Sequence, residues 1–297
     1  MNDNLRGAAL MSLAMAAFTA NDACMRAIAG HLPVAQVLFL RGGITAAILF
    51  AIAAHRGLLV QAVRLDRRGR LMVGLRCLGE VWTAFAVLIS LQHMALSTFT
   101  AIGQAGPLAI GLAGAVFLRE PLGWHRLLVI LAGFVGVMII IRPGTDVFDV
   151  WSLAALAAVA GLTLRDLSAR RLPAGLSPVV AALAGAIAVA AAAGVWSLSA
   201  PWQVPSLRTM VLLVCGAVCL VAAYILVVRT MQVGEIGFVA PFRYTGLLWA
   251  LMLGTILLGE RPDGATLLGA GIVVAAGAYT LFAERRQRGQ IPPGATR

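Results

Sequence analysis

Ionisable side chains stand inside long apolar stretches of this sequence, among them Asp22, Arg41, Glu80, Asp166 and Arg243. A charge at the centre of a bilayer costs about 2.5–3.5 kcal/mol on insertion scales, so such a group faces a cavity or a partner. Asp22 and Arg41 reach similar depth if each residue of helix advances about 1.5 Å. They could pair and lock two helices together, bind the two ends of a zwitterion such as an amino acid, or close a gate. Asn21 beside Asp22 and Gln104 further on add amides to the same candidate binding set. Asp166 and Arg243 run at comparable depth in the second half, while Arg165 lies nearer its span end and is expected to snorkel. Glu80 is the deepest carboxylate. It either pairs with Arg76, one helical turn earlier on the same face, or serves as a proton carrier or amine ligand.

Aromatic residues at these depths include Trp82, Phe85, Tyr224, Phe242, Tyr244 and Trp249. Trp and Tyr at span ends form the interfacial belt. Trp249 is mid-span, so it either packs or stacks on a planar solute. Trp82, Tyr224, Tyr244 and Trp249 join the candidate binding residues. Pro107 and Pro241 each break a helix and free a carbonyl. In lipid such a break sits where protein or a cavity covers it. With Asp166 these two prolines are candidate gating residues. Glycines at 103, 106, 111, 114, 246 and 254 make small-residue ridges suited to close helix packing.

The elements that must position these groups are membrane spans. The chain of 297 residues is 61% hydrophobic and only 12% charged, with mean hydropathy +0.93. Soluble domains carry about a quarter charged residues, so most of this surface must face lipid. Apolar runs of about 20 residues recur, each long enough to cross a ~30 Å core as a helix. The spans expected are 5–29, 34–54, 71–91, 95–117, 124–142, 150–169, 176–197, 208–229, 236–258 and 264–283. The first is too long, and too polar at Asn21–Asp22, for a signal peptide. The expectation is an all-α polytopic membrane protein of ten helices. Continuous rather than alternating runs argue against a β-barrel.

The net charge of +11 is arginine alone. It concentrates in short loops and the tail, which fits topology signals and anionic headgroups rather than nucleic acid. Cys24, Cys77, Cys215 and Cys219 lie within spans and read as small packing residues. No metal site is expected from them or from the four histidines. The sequence has no GxSxG, HExxH, P-loop or CxxC, so neither an enzyme nor a cofactor is expected, and ATP drive by this chain alone is excluded. The expected partners are a small-molecule substrate and the lipid bilayer. Oligomeric state is open, and a monomer suffices.

Residues 92–120 reappear loosely 140 positions later: Gln92, Gly106, Gly114, Leu118 and Glu120 fall on Gln232, Gly246, Gly254, Leu258 and Glu260. Asp22 and Arg26 fall on Asp166 and Arg170 at an offset of 144. A doubled unit in so apolar a chain marks a transporter built from two repeats around a central site. The units expected are 1–143 and 144–285, with a tail of 286–297. Arginine in the loops places both termini in the cytoplasm. Each unit holds five spans, an odd number, so the second must enter the membrane from the opposite side. Glu120 would then end its helix inside and Glu260 outside.

These residues carry a family likeness. The Asn21–Asp22 pair, the Phe39-Leu40-Arg41-Gly42 start of the second span, and the Gly-rich spans closing in Leu118-Arg119-Glu120-Pro121 and Leu258-Gly259-Glu260-Arg261-Pro262 resemble the drug/metabolite transporter superfamily, in its EamA-type branch. The resemblance covers nearly the whole chain. It implies a ten-helix inner-membrane carrier of small metabolites working by alternating access. Within the superfamily the chain is similar to YddG-type exporters of aromatic and neutral amino acids. The alternatives are an importer of another metabolite (S-adenosylmethionine, a nucleobase or a cationic drug) and a membrane scaffold that transports nothing.

Overall fold

The structure, a computed structural model, describes residues 3–63, 65–118, 124–143, 149–173, 175–199, 201–233 and 236–289. Arg119, Glu120 and Pro121 lie outside the described residues, as does most of the tail. Helices α1 (Asp3–Ala27) and α2 (Val34–His55) are followed by a single turn α3 (Val60–Val63), then α4 (Arg67–His93). The fourth span is two helices, α5 (Leu96–Gly103) and α6 (Gly106–Leu118), before α7 (Trp124–Ile141). The second half runs α8 (Trp151–Ala169), α9 (Pro178–Ser197), α10 (Leu207–Val233), α11 (Ile236–Val239), a 3₁₀ turn over Ala240–Tyr244, α12 (Thr245–Leu258) and α13 (Gly264–Gly289).

Eight of the described spans are long and apolar enough to cross a membrane, and Leu127–Ile141 and Gly264–Tyr279 are shorter apolar helices. Their outward faces suit lipid. Phe50, Leu131, Val135, Leu248 and Ile256 are all more than half exposed, which a soluble surface would rarely tolerate as a continuous band. Trp124, Trp196 and Trp202 stand exposed at span ends, where the indole suits the headgroup layer.

Both broken spans break at their prolines. Regular α-helix lapses into a turn at Gln104–Ala105, just before Pro107, where Ala105 N pairs with Ile102 O instead of the carbonyl four residues back, and Pro241 lies within the 3₁₀ turn. Local chemistry sets the other ends. Asp66 caps α4 by accepting from Gly69 N at 2.7 Å, and Ser177 caps α9 ahead of Pro178, each supplying an acceptor for an orphan N–H. Gly259 ends α12 in the left-handed region (φ 67°), where glycine carries no Cβ penalty.

The four most extensive helix packings all join the two halves: α4 with α8, α1 with α10, α2 with α9 and α7 with α13. Numbered by span within each repeat, these are third with first, first with third, second with second and fifth with fifth. That pattern is unchanged when the halves are exchanged, as a two-fold axis in the membrane plane requires. The fold is therefore ten helices in two inverted five-helix repeats. Of the expected ridge glycines, Gly106 packs on α8, where a Cβ would lie 3.0 Å from Leu162 Cδ2, and two further glycines make tighter crossings. A Cβ on Gly79 would lie 2.6 Å from Arg165 N, and one on Gly136 would lie 2.8 Å from Gly269 O.

Candidate functional site

The polar groups gather along the seams α1–α10 and α4–α8. Arg41 is buried on α2. Its Nη1 donates to Asn21 Oδ1 at 3.3 Å, and Asn21 Nδ2 donates to Asp22 Oδ1 at 2.9 Å. The direct Asp22–Arg41 pair expected from depth is absent within 4.0 Å. Asn21 stands between them as a relay, although the two charges still attract electrostatically. Arg41 Nε is buried with no hydrogen-bond partner. A buried donor left empty costs about 1–3 kcal/mol, more when charged, so this guanidinium edge is held at a cost to stability.

The second group centres on Glu80 of α4. Tyr224 of α10 donates its hydroxyl to Glu80 Oε1 at 2.7 Å. Arg165 of α8 and Arg76 approach the two carboxylate oxygens at 3.6 and 3.7 Å. These are ion-pair distances, too long for hydrogen bonds, and Glu80 Oε2 has no hydrogen bond. Arg76 Nη1 instead donates to Ala181 O at 2.6 Å, tying α4 to α9. The Arg76–Glu80 pairing expected from sequence is present, and Arg165 does not snorkel away. Its Nε donates to Asp166 Oδ1 at 2.9 Å.

Asp166 and Arg243, level in depth by residue count, do not pair: Asp166 bonds to Arg165, and Arg243 acts on it only through space. The neighbour on the same helix turn reaches the carboxylate at lower entropic cost than a side chain from another helix. Asp166 keeps a quarter of its side chain accessible. Electrostatic coupling of Arg41 with Tyr224 and Glu80 joins the two groups. Four guanidinium groups (Arg41, Arg76, Arg165, Arg243) face three carboxylates (Asp22, Glu80, Asp166), so the centre carries an excess of positive charge.

The aromatics divide. Phe18 meets Tyr224 edge to face at 5.6 Å beside the Glu80 group. Trp249 donates Nε1 to Ser12 O at 3.1 Å and ties α12 to α1, as packing rather than a free stacking surface. Trp82 is half exposed and, two residues beyond Glu80, points about 200° around α4 from it. Its ring lies against Gly161 of α8, on the opposite side of α4 from Glu80. Phe85 stacks on Trp196 of α9. Tyr244 is buried, with its hydroxyl unpartnered against Gly277 of α13. Phe242 and Tyr244 line an apolar groove of about 590 Å³ between α12 and α13. Gln104 caps α5 at the break, its amide beside Gly246.

One functional candidate was legible only as a repeat marker. Glu260 crosses from the end of α12 to the start of α5, accepting from Leu96 N at 2.7 Å, Ser97 N at 3.2 Å and Ser97 Oγ at 3.1 Å. Arg26 of α1 stands 3.8 Å away. A carboxylate on the free N–H groups of a helix start satisfies orphan donors and the helix dipole together. On the same face Arg142 bonds Asp263, and Gln36 exchanges two hydrogen bonds with Gln203. That face is thus held by ties between the repeats.

Ten apolar helices in inverted repeats, with a charged seam buried between them, define a polytopic helical membrane protein. The chain belongs to the EamA-like transporter family, whose profile matches residues 5–142 and again 149–282. It is 29% identical over 180 residues to a riboflavin transporter of Vibrio cholerae, covering 60% of each chain. It is 25% identical to an S-adenosylmethionine uptake transporter of Rickettsia bellii over 64% of this chain and 65% of that one. The match thus spans under two thirds of those two relatives. A pseudopaline exporter of Pseudomonas aeruginosa is 26% identical over 281 residues, 91% of this chain and 94% of its own. One solved crystal structure superposes with a TM-score of 0.64 at 19% identity, over 95% of this chain and 98% of that chain, and shares the fold.

Proposed function

We propose that this transporter moves a small metabolite bearing a carboxylate and an amine, and that it exports aromatic and neutral amino acids by alternating access. The observation that carries the reading is Arg41: a buried guanidinium with an unused Nε, at the middle of a positively biased seam, beside a carboxylate it reaches only through Asn21. A substrate carboxylate would take the open Arg41 edge and its amine would take Asp22. Phe18 and Tyr224 offer rings to an aromatic side chain. Glu80, held by Tyr224, Arg76 and Arg165, and Asp166 would rearrange as the seam opens. The breaks at Pro107 and Pro241 are where the spans would bend. The termini lie in the cytoplasm of a bacterial inner membrane on this reading, because the arginine-rich loops share their face.

The test is counterflow in proteoliposomes with labelled phenylalanine, leucine, S-adenosylmethionine and riboflavin. Saturable phenylalanine exchange is expected. Arg41→Lys keeps the charge but loses Nε and the planar fork; it should weaken apparent affinity tenfold or more, while its apparent melting temperature stays near wild type. Exchange of another solute with none of any neutral amino acid overturns the substrate. The similarity to S-adenosylmethionine uptake transporters favours one second reading, since that solute also has an α-amino-acid head that the same two contacts would hold.

A further inference from the structure

The face that carries the chain termini has a cavity of about 450 Å³ lined by Leu65, Asp66, Arg68, Gly69, Arg171 and Pro173. Its walls come from both repeats: the first turn of α4 on one side and the connection between α8 and α9 on the other. Arg68 and Arg171 are exposed, and neither side chain has an ion-pair or hydrogen-bond partner among the described residues. The one carboxylate in the wall, Asp66, commits Oδ1 to Gly69 N. Two guanidinium groups therefore share one cavity with a single carboxylate, which leaves its lining with an excess of one positive charge. Like charges so placed repel, and an anion between them turns that repulsion into two attractions.

The floor is tight. A Cβ on Gly69 would lie 2.8 Å from Asp66 Oδ1 and 3.0 Å from Pro173 Cγ, so glycine lets the two repeats close beneath the cavity. Arg67 and Arg70, also exposed on the first turns of α4, add to the local positive field. The position identifies the class of anion. α8 ends at Ala169 and α4 begins at Arg67, so the cavity lies where spans leave the hydrocarbon, at headgroup depth. Leu65 and Pro173 give it an apolar edge.

We propose that this cavity binds the phosphate of an anionic phospholipid, gripped by Arg68 of the first repeat and Arg171 of the second. The lipid bridges the α4–α8 seam at its end, the same two helices that carry Arg76, Glu80, Arg165 and Asp166. Binding there holds the terminal-face ends of the two repeats together, whatever solute the central site takes.

The test titrates the purified full chain in detergent with phosphatidylglycerol, phosphatidylcholine or inorganic phosphate and reads the apparent melting temperature, while native mass spectrometry counts retained lipids. Phosphatidylglycerol should raise the melting temperature saturably, where phosphatidylcholine and inorganic phosphate at equal concentration do not. Arg68→Gln and Arg171→Gln should each weaken the effect about fivefold, the worth of one arginine at an anionic surface. The double variant should retain one phosphatidylglycerol fewer than wild type. Arg208→Gln, exposed on the opposite face, should change nothing. Equal stabilisation by phosphatidylcholine, an equal shift with inorganic phosphate, or an undiminished response of the double variant with no lipid lost overturns the proposal.

Discussion

Asn21 does what neither of its charged neighbours does, since it connects Arg41 to Asp22 through one amide. Asn21→Leu keeps the volume and removes both bonds, leaving a buried guanidinium and a carboxylate short of partners. Such a loss costs about 1–3 kcal/mol, so the apparent melting temperature should fall; an unchanged value means the relay does not stabilise the fold. A second residue-level prediction concerns Asp263, which caps α13 outside the spans. Hydrogen bonds from the Thr266 side chain and backbone, followed by Arg142, hold its carboxyl below the usual carboxylate range. A lowered folded value stabilises at pH above the ordinary carboxylate range, and the contribution disappears as pH falls through the lowered value. Asp263→Ala should lower the apparent melting temperature at pH 7, through a cap worth about 1 kcal/mol. The gap from wild type should narrow in acid. A gap constant with pH would refute the assignment. The exposed Arg142 contact adds little of this.

Helices meet at glycines and at one carboxylate. Gly79→Ala would drive a Cβ into the backbone of α8 at Arg165 N and Gly161 O, the latter at 2.9 Å. Neither atom can swing away, so α4 and α8 must separate, at about 1–3 kcal/mol for overpacking. Stability and flux should fall together, because Arg165 moves from Glu80. Gly74→Ala on the same helix meets nothing within 4 Å and should be neutral or stabilising. Thermal melting of the pair in parallel checks the contrast. Glu260 acts at the same scale. Glu260→Gln presents an amide donor to a helix start that needs acceptors, so amide exchange of Leu96 and Ser97 should accelerate. If Glu260 holds its face of the transporter closed, exchange should also rise around Gln203 and Arg142. Acceleration confined to α5 would make it a helix cap with no part in gating.

Across the whole molecule, the exchange symmetry of the helix packings makes the two faces equivalent in architecture and opposite in orientation. On a background with Cys24, Cys77, Cys215 and Cys219 replaced by Ala, Ser199→Cys should react with an impermeant thiol reagent in intact cells. Gly175→Cys should react only after permeabilisation. Labelling of both from one side would mean that α9 does not cross the membrane, and reversal of the two would place the termini outside.

The ten spans were legible because lipid imposes a one-dimensional rule: every backbone polar group must be satisfied within the segment, so length and apolarity nearly define a helix. Starts and ends agree within a few residues, and the breaks at Pro107 and Pro241 followed from a missing donor. The repeat, too, was written in residue spacing. Partners were not. Depth put Asp22 level with Arg41 and Asp166 level with Arg243, yet rotation about each helix axis put Asn21 between the first pair and gave Asp166 to Arg165. Trp82 and Trp249 shared the right depth but packed against α8 and α1. Glu260 marked a repeat in sequence and became a clasp only when α12 met α5. Distance along a helix is set by counting residues; which side chains meet depends on how the helices rotate and pack, and only the tertiary structure decides that.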